Sequence, residues 1–550
     1  MIYKKYYFII IAFLFTYIFL HPVFQNFSTH LASRADGVFI SWTIFTVSNY
    51  LAIGKNIYNL PIFYPFTSTL TYSDPFLSTA LLTLPILSFT KNIVVLSNFH
   101  LITGTIFMFI SSYLLALELK FSKVGSYFST IFFTFSTIHL HYVVHLQSYL
   151  LAGIPLTYYF SIKWFNHKKW YWLMFAFVAF IYQTLNSPMF GFFIIFALAP
   201  LLIQILFTNE SRELIKKNIS LIIYYSALTI ATIAIIYTPF FINANQFNYT
   251  RTIRDTAHFS HGIERIVNMD FIAVYLLIFI LFLTRKKVIN KTSFPLNSKI
   301  ILSIITIGLF LMLGPVLKLN NQTIKIFQKI PIPLPYSILY FVIPGFKAFR
   351  DSSRWILLLN FGLSLLFGQL VTYSNINKNI KYLILLLFTI FLYQSSLKMI
   401  KLYPIPINPP KIYELVRLRP ENTLVEFPIF TWSMNPYAYL ENDRLMYQTF
   451  HKKILYNGVS GFAPPSREKQ WDTIFWTDFP KSNVIDQLDI DGIELVIINF
   501  DIYNEMYSTN FEHSRFQSPS ILELKKLVNL QTNLQLIQCI EEKCLYKIVK

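Results

Sequence analysis

Charge is what this 550-residue chain has least of: 13% of its residues are charged, while 54% are hydrophobic. Soluble enzymes carry nearer a quarter charged residues. That excludes an ordinary soluble enzyme and indicates an α-helical polytopic membrane protein. Cysteine is also scarce, with Cys539 and Cys544 the only two, too few thiolates for a zinc centre. Neither a Gly-rich phosphate loop nor a nucleophile elbow is present. The cytoplasmic loops are too short for a nucleotide domain, so direct use of a nucleotide sugar on the inside is disfavoured. Internal repeats and low-complexity tracts are absent as well.

What charge there is lies unevenly. Through residue 400 there are 30 Lys+Arg against 9 Asp+Glu, and the last 150 residues hold 16 against 18. This separates a basic membrane part, residues 1–400, from a near-neutral soluble domain at 411–550. Pro404, Pro406, Pro409 and Pro410 make residues 401–410 a stiff linker. The basic excess does not call for nucleic acid, because it sits in short loops between apolar runs, where topology accounts for it.

Lys4 and Lys5 precede an apolar run from Tyr6 to Leu20, read as a retained first span with its N-terminus in the cytoplasm. Ten more spans are expected at Val95–Leu117, Val124–Ile138, Leu146–Ile162, Trp170–Leu185, Met189–Phe207, Ile219–Pro239, Ile266–Thr284, Ile300–Val316, Trp355–Tyr373 and Ile380–Tyr393. About eleven spans, an odd number, send the tail to the extracytoplasmic side. The loops this count makes cytoplasmic hold Lys120 with Lys123, Lys163 with Lys168 and Lys169, Arg212 with Lys216 and Lys217, Arg285–Lys287 with Lys291, and Lys378 with Lys381. The placement obeys the positive-inside rule. It requires the short apolar segment Pro75–Thr90 to be re-entrant or superficial, within a large first outer loop at 22–94. The tail reads as a small α/β domain with strands at Thr423–Phe427, Leu495–Phe500, Leu534–Ile540 and Leu545–Val549. A disulfide between Cys539 and Cys544 would clasp the turn between the last two, as suits an oxidising compartment.

Candidate chemistry gathers on the outer face. Asp36, after the first span, is a carboxylate close to lipid, which is costly unless it lines a wet cavity. It can serve as a general base on an acceptor hydroxyl; the alternative is a solvated acid paired with Arg34. Gly37–Leu51 is expected to lie in the membrane interface as a helix. Asp74 is a second acid, with helix capping as its alternative. Arg350 and Arg354, four residues apart, are expected to share a helix face and grip a phosphate, helped by Lys347. Lipid headgroup anchoring with Asp351 bridging is the alternative. His139, His141, His145 and Gln147 form a polar cluster suited to packing or substrate hydrogen bonding, with metal binding by His141 and His145 a weaker reading.

Several short motifs resemble the bacterial class C glycosyltransferase superfamily, especially members with a soluble C-terminal domain. They are Asp36-Gly37, Phe63-Tyr64-Pro65, His145-Leu-Gln147 before Ile154-Pro155, Pro344-Gly-Phe-Lys-Ala-Phe-Arg350 with Arg354, and Tyr456-Asn-Gly-Val-Ser-Gly-Phe462. The resemblance implies inverting transfer of a sugar from a polyprenyl-phosphate carrier to an extracytoplasmic acceptor. Asp36 would activate or position the acceptor, and Asp74 loosely matches a second acid. Arg34, His141, His145 and Gln147 would contact substrate. The resemblance establishes no cofactor and leaves a divalent metal, the sugar and the oligomeric state open. Rival readings are a lipid or polysaccharide transporter, and a membrane-anchored glycan-binding protein; against the first, charges are nearly absent from mid-span positions.

Overall fold

A computed structural model of the chain describes residues 3–207, 209–267, 278, 298–431, 437–471, 475, 478–513, 516–517 and 519–549. In chain order its longer helices are α1 (Tyr3–Phe19), α2 (Asp36–Ala52), α3 (Ile93–Glu118), α4 (Lys123–Phe135), α5 (Gly153–His167) and α6 (Trp170–Asn186). They continue as α7 (Pro188–Leu206), α8 (Ile219–Phe247), α9 (Ser298–Met312), α10 (Ile356–Tyr373), α11 (Lys378–Ser396) and α12 (Tyr439–His451). The chain divides into two compact units: Met1–Asn26, Asn98–Thr238 and Tyr249–Lys401 form one, and Phe27–Ser97, Pro239–Asn248 and Leu402–Lys550 form the other. The first outer loop thus groups with the tail.

The first unit is helical. Five helices among the described residues are long and apolar enough to cross a membrane: α3, α7, α8, Ser352–Tyr373 and α11. The other expected spans fall on shorter helices such as the 13-residue α4, about 20 Å long. The expected span Ile266–Thr284 lies, from residue 268 on and apart from residue 278, outside the described residues, as do Arg285–Lys287 and Lys291. At the centre, α10 is buried along nearly its whole length and packs on α9 and α4. Small residues allow that approach, because lipid offers no hydrophobic force to drive helices together. A Cβ on Gly308 would stand 2.5 Å from the Leu359 nitrogen, and one on Gly362 would stand 2.8 Å from Ile305 Cγ1. Ser136 donates to Asn360 Oδ1 at 2.9 Å, and Asn360 donates to the Phe133 carbonyl at 3.1 Å, which joins α4 to α10.

The expected continuous span Leu146–Ile162 is broken. A short helix, Leu146–Tyr149, ends before α5 begins at Gly153, and the interruption would strand backbone groups away from water. Gln183 on α6 satisfies them: its Oε1 accepts from Gly153 N–H and its Nε2 donates to the Leu150 carbonyl, both at 3.1 Å. His139 Nε2 lies 3.0 Å from the Tyr149 carbonyl, so this histidine of the expected polar cluster serves packing.

The second unit is built on a five-stranded sheet. Its strands are β1 (Thr423–Phe427), β2 (Ile454–Leu455), β3 (Leu495–Asn499), β4 (Leu534–Ile540) and β5 (Lys543–Ile548), in the order β4-β5-β3-β1-β2. β1 runs parallel to β2 and β3, whereas β5 is antiparallel to β3 and β4. The central β1 and β3 are buried throughout, as their unbroken apolar runs require. Cys539 and Cys544 face each other across the β4–β5 hairpin and are disulfide-bonded. The β2 edge is covered by the first outer loop: Leu455 N–H donates to Pro61 O and Tyr64 N–H to Leu455 O, each at 3.0 Å. Such covering blunts an otherwise sticky strand edge. The Pro-rich linker is pinned as well, Tyr403–Pro404 pairing antiparallel with His30–Leu31.

The Asp36 helix departs from expectation. Residues Val38–Ser48 of α2 are all buried, so it is a core helix of the second unit rather than one lying in the interface. α12 and the short helix Leu77–Thr83 pack on it, with Ser48 Oγ donating to the Ala80 carbonyl at 2.9 Å. The serines and threonines that suggested a wet face turn inward and bond to backbone: Ser41 to Gly37 O at 2.5 Å and Thr43 to Phe39 O at 2.9 Å.

Candidate functional site

In the second unit Asp36 occupies the first turn of α2, half-buried, where the helix dipole favours a carboxylate. Arg34 does not serve as its counter-ion. The guanidinium binds Asp443 on α12 in a fork, Nη2 to Oδ2 at 2.5 Å and Nε to Oδ1 at 3.2 Å, and lies 4.3 Å over the Tyr439 ring. Burial pushes the Asp443 carboxyl above its usual range, and Arg34 pulls it partly back.

Beside this pair lies a buried polar seam. Arg444 pairs with Glu441 and, at 3.2 Å, with Glu426, and donates to the Pro428 carbonyl at 2.8 Å. Asn457 completes it, accepting from Glu426 N–H at 2.8 Å and donating to Glu426 O at 3.0 Å. The Tyr456–Phe462 motif therefore has a structural role: it holds the seam on one side and the first outer loop on the other. Phe63 N–H donates to Asn457 O at 3.0 Å, Phe462 N–H donates to Tyr72 O at 2.9 Å, and the Phe63 ring fills the space where Gly458 lacks a side chain. Buried Arg467 adds a bond to the Tyr64 carbonyl at 2.8 Å and lies 3.5 Å from the Tyr456 ring centre.

Asp74 is half-buried and does not cap the following helix, whose N-cap is Phe76. The Ser48–Ala80 contact is twelve residues along α2 from Asp36, roughly 18 Å of helix, so pairing of these helices does not of itself join the two acids.

In the first unit Arg350 is exposed and lies 4.7 Å over the Phe259 ring. Lys347, also exposed, has its ammonium 6.0 Å from the rings of Tyr340 and Phe341. Arg354 Nε pairs with Asp351 at 3.2 Å. The two arginines do not share a helix face. Asp351 is extended and accepts from Ser353 N–H at 3.0 Å, so the helical turn begins only at Ser352. Nor do His141 and His145 stand on one α-helical face: His141 opens a 3-10 turn that ends at Val144, and His145 leaves it with φ −115°. Gln147 is buried and His145 half-buried.

Electrostatics ties His141 to groups the sequence reading had not assigned. Burial, then Arg265, lowers the His141 imidazole, and Asp351 opposes them. His261 is brought down to about 4, chiefly by burial and then by Arg265. Both imidazoles are thus held toward the neutral form, and the charges acting on them are Arg265, joined at His261 by Lys318, offset by Asp351. The only sequence signal of His261 and Arg265 is that they lie in the polar stretch 251–265 between two apolar runs. Among the described residues no three His, Cys, Asp or Glu side chains gather as a metal site.

No family model matches the chain, and no curated protein matches it. Among solved structures it is similar to ArnT from Cupriavidus metallidurans, in a structure bound to undecaprenyl phosphate. The TM-score is 0.51 at 11% identity, over 98% of this chain and 97% of that one. The chain shares the overall fold of that structure. It is also similar to the Archaeoglobus fulgidus oligosaccharyltransferase in complex with Zn and sulfate, at TM-score 0.48 and 12% identity over 91% and 69% of the two chains. A complex of the archaeal oligosaccharyltransferase AglB from the same organism with an inhibitory peptide and a dolichol-phosphate gives 0.42 at 12% identity over 91% and 70%. At those scores neither adds to the fold assignment.

Proposed function

We propose that this multi-pass membrane protein is a glycosyltransferase that moves a sugar from a polyprenyl-phosphate donor to an extracytoplasmic acceptor. The observation that carries the reading is the likeness to ArnT, which extends over nearly the whole of both chains and whose structure holds undecaprenyl phosphate. Asp36 takes the proton of the acceptor hydroxyl as its oxygen attacks the anomeric carbon, and the carbon–oxygen bond to the polyprenyl phosphate breaks with inversion. Arg350, Arg354 and Lys347 bind the phosphate and stabilise the charge it gains on leaving. Arg34 serves this reading by position: locked to Asp443, it fixes the start of α2 and so the direction in which Asp36 points. His141, His145 and Gln147 are assigned to hydrogen bonding with the substrate. Asp74 is held as a second acid. The tail stands outside the cytoplasm in this reading.

The test is transfer of label from a panel of radiolabelled polyprenyl-phosphate sugars by the purified protein in lipid with membrane extract. Wild type should form a labelled product and Asp36→Asn should lose at least about a hundredfold in turnover at unchanged expression, the scale of a general base. Equal turnover removes Asp36 from the mechanism, and no consumption of any donor removes the transferase reading.

A further inference from the structure

Between α9 and α10, ahead of the Lys347–Arg354 stretch that the transferase reading uses, the chain carries a surface that neither the fold nor that reading employs. It holds a hairpin in which Lys325–Ile326 pairs with Ile330–Pro331. At its tip Phe327 is 89% exposed, with Ile330 at 61% and Ile326 at 46%. Phe327 and Gln328 both have positive φ, 50° and 58°. Tight hairpin turns with that backbone favour Asn and Gly, and a bulky side chain there is strained. A phenylalanine at that point worsens the turn and contacts little inside the protein, so its use lies outside it.

The hairpin is firmly mounted. Its base is laced to the chain leaving α9 by Leu317 N–H to Ile332 O at 3.0 Å, Ile324 N–H to Leu317 O at 2.9 Å and Leu334 N–H to Pro315 O at 2.9 Å. Beneath it the Lys318 ammonium donates to the carbonyls of Ala257, His258 and Ser260 at 2.9–3.2 Å. The base begins three residues after α9 ends at Met312, and α9 is one of the shorter apolar helices; with α9 in the bilayer, the mount stands at its edge. From Ile324 to the tip is three residues, about 10 Å of strand, comparable to the depth of the headgroup–acyl boundary. The following helix, Pro335–Val342, exposes Ile338, Phe341 and Val342 on one side. From Leu313 to Arg350 the chain has Lys318, Lys325, Lys329, Lys347 and Arg350 and no acidic residue. Glu264, from outside the segment, accepts from the Asn320 and Asn321 N–H groups at 2.9 and 3.3 Å; the segment's own charges are all positive, and with the apolar tips they match an anionic lipid surface.

We infer that the Lys325–Pro331 hairpin inserts Phe327 into the lipid headgroup layer, with Lys325 and Lys329 on anionic headgroups. Cys539 and Cys544 are joined to each other, so Phe327→Cys in the full chain supplies a single thiol for a polarity-sensitive aromatic fluorophore that stands in for the phenyl ring. In vesicles containing phosphatidylglycerol, nitroxide-bearing lipid should quench this label at least about twofold more than aqueous iodide does, and its emission should be blue-shifted. Lys325→Gln with Lys329→Gln should weaken the lipid quenching in those vesicles and leave it unchanged in pure phosphatidylcholine. Strong iodide quenching with no effect of nitroxide lipid would overturn insertion. Lipid quenching indifferent to both lysines would overturn the anionic contact.

Discussion

At the residue scale the acid Asp36 and the base Arg34, adjacent in the sequence argument, have separate duties. Arg34 belongs to Asp443, whose side chain is 5% exposed. Removing the guanidinium leaves a buried carboxyl without its hydrogen-bonded cation, with Arg444 acting on it only through space. Arg34→Gln should therefore destabilise the protein by about 2 kcal/mol near neutral pH. The pH dependence has a definite sign. Burial already raises the folded-state pKa of Asp443, so its contribution is fully present below the ordinary aspartate value and is lost as pH rises through the folded value. Without Arg34 that folded value rises further, and the deficit of Arg34→Gln in thermal unfolding should be larger at pH 8 than at pH 4. An equal deficit at both would mean that lost packing on Tyr439, not the charge pair, sets the effect. Sequence alone had no means of finding this pair, because its members are 409 positions apart. Only the charged run Glu441–Arg444, unusual in a buried helix, marked where a partner would be needed.

At the scale of elements, most helices and all four expected tail strands were legible, since long apolar runs and β-branched runs leave few alternatives. The breaks were not. Leu146–Ile162 carries no charge and is mostly apolar, and only Gly153 and Pro155 hinted that the helix stops; what makes the stop tolerable is Gln183, some thirty residues away. Gln183→Leu keeps the volume but leaves the Gly153 N–H and Leu150 carbonyl without partners in an apolar setting. It should cost about 2–4 kcal/mol, seen as a lower unfolding temperature in detergent, and Gln183→Glu, which keeps an acceptor for Gly153, should cost less. If Leu and Glu behave alike, the amide is not what holds the break. The same limit hid the nature of α2. Its interspersed serines and threonines look like a wet face in one dimension, but they bond back to their own helix, and that lets it be buried. At Arg350 and Arg354 the four-residue spacing implied a helix, and Asp351 ends that inference by capping the turn one residue too late.

At the scale of the whole molecule, the first outer loop and the tail, which the sequence kept apart as loop and domain, are one folding unit. Residues 61–64 extend the sheet past β2, and the two motifs Phe63-Tyr-Pro and Tyr456–Phe462 are one joint. The unit carries Asp36, so the side of the membrane on which the tail folds is also the side on which the proposed chemistry occurs. The disulfide supplies a way to read that side without any substrate. Cys539 and Cys544 are opposite each other near the end of the β4–β5 hairpin, close enough to oxidise wherever the compartment allows it, and cytosolic reductants would keep such a pair as thiols. Cells should therefore be quenched in acid and alkylated before and after reduction, and the tail peptide holding both cysteines weighed. An oxidised pair in at least nine-tenths of the protein is the expected result, and it fixes the tail and Asp36 outside the cytoplasm, where a polyprenyl-linked sugar would be presented. A pair alkylated without prior reduction would put the unit on the cytoplasmic side. The odd span count and the extracytoplasmic acceptor would then both be wrong, even if Asp36→Asn still abolished turnover.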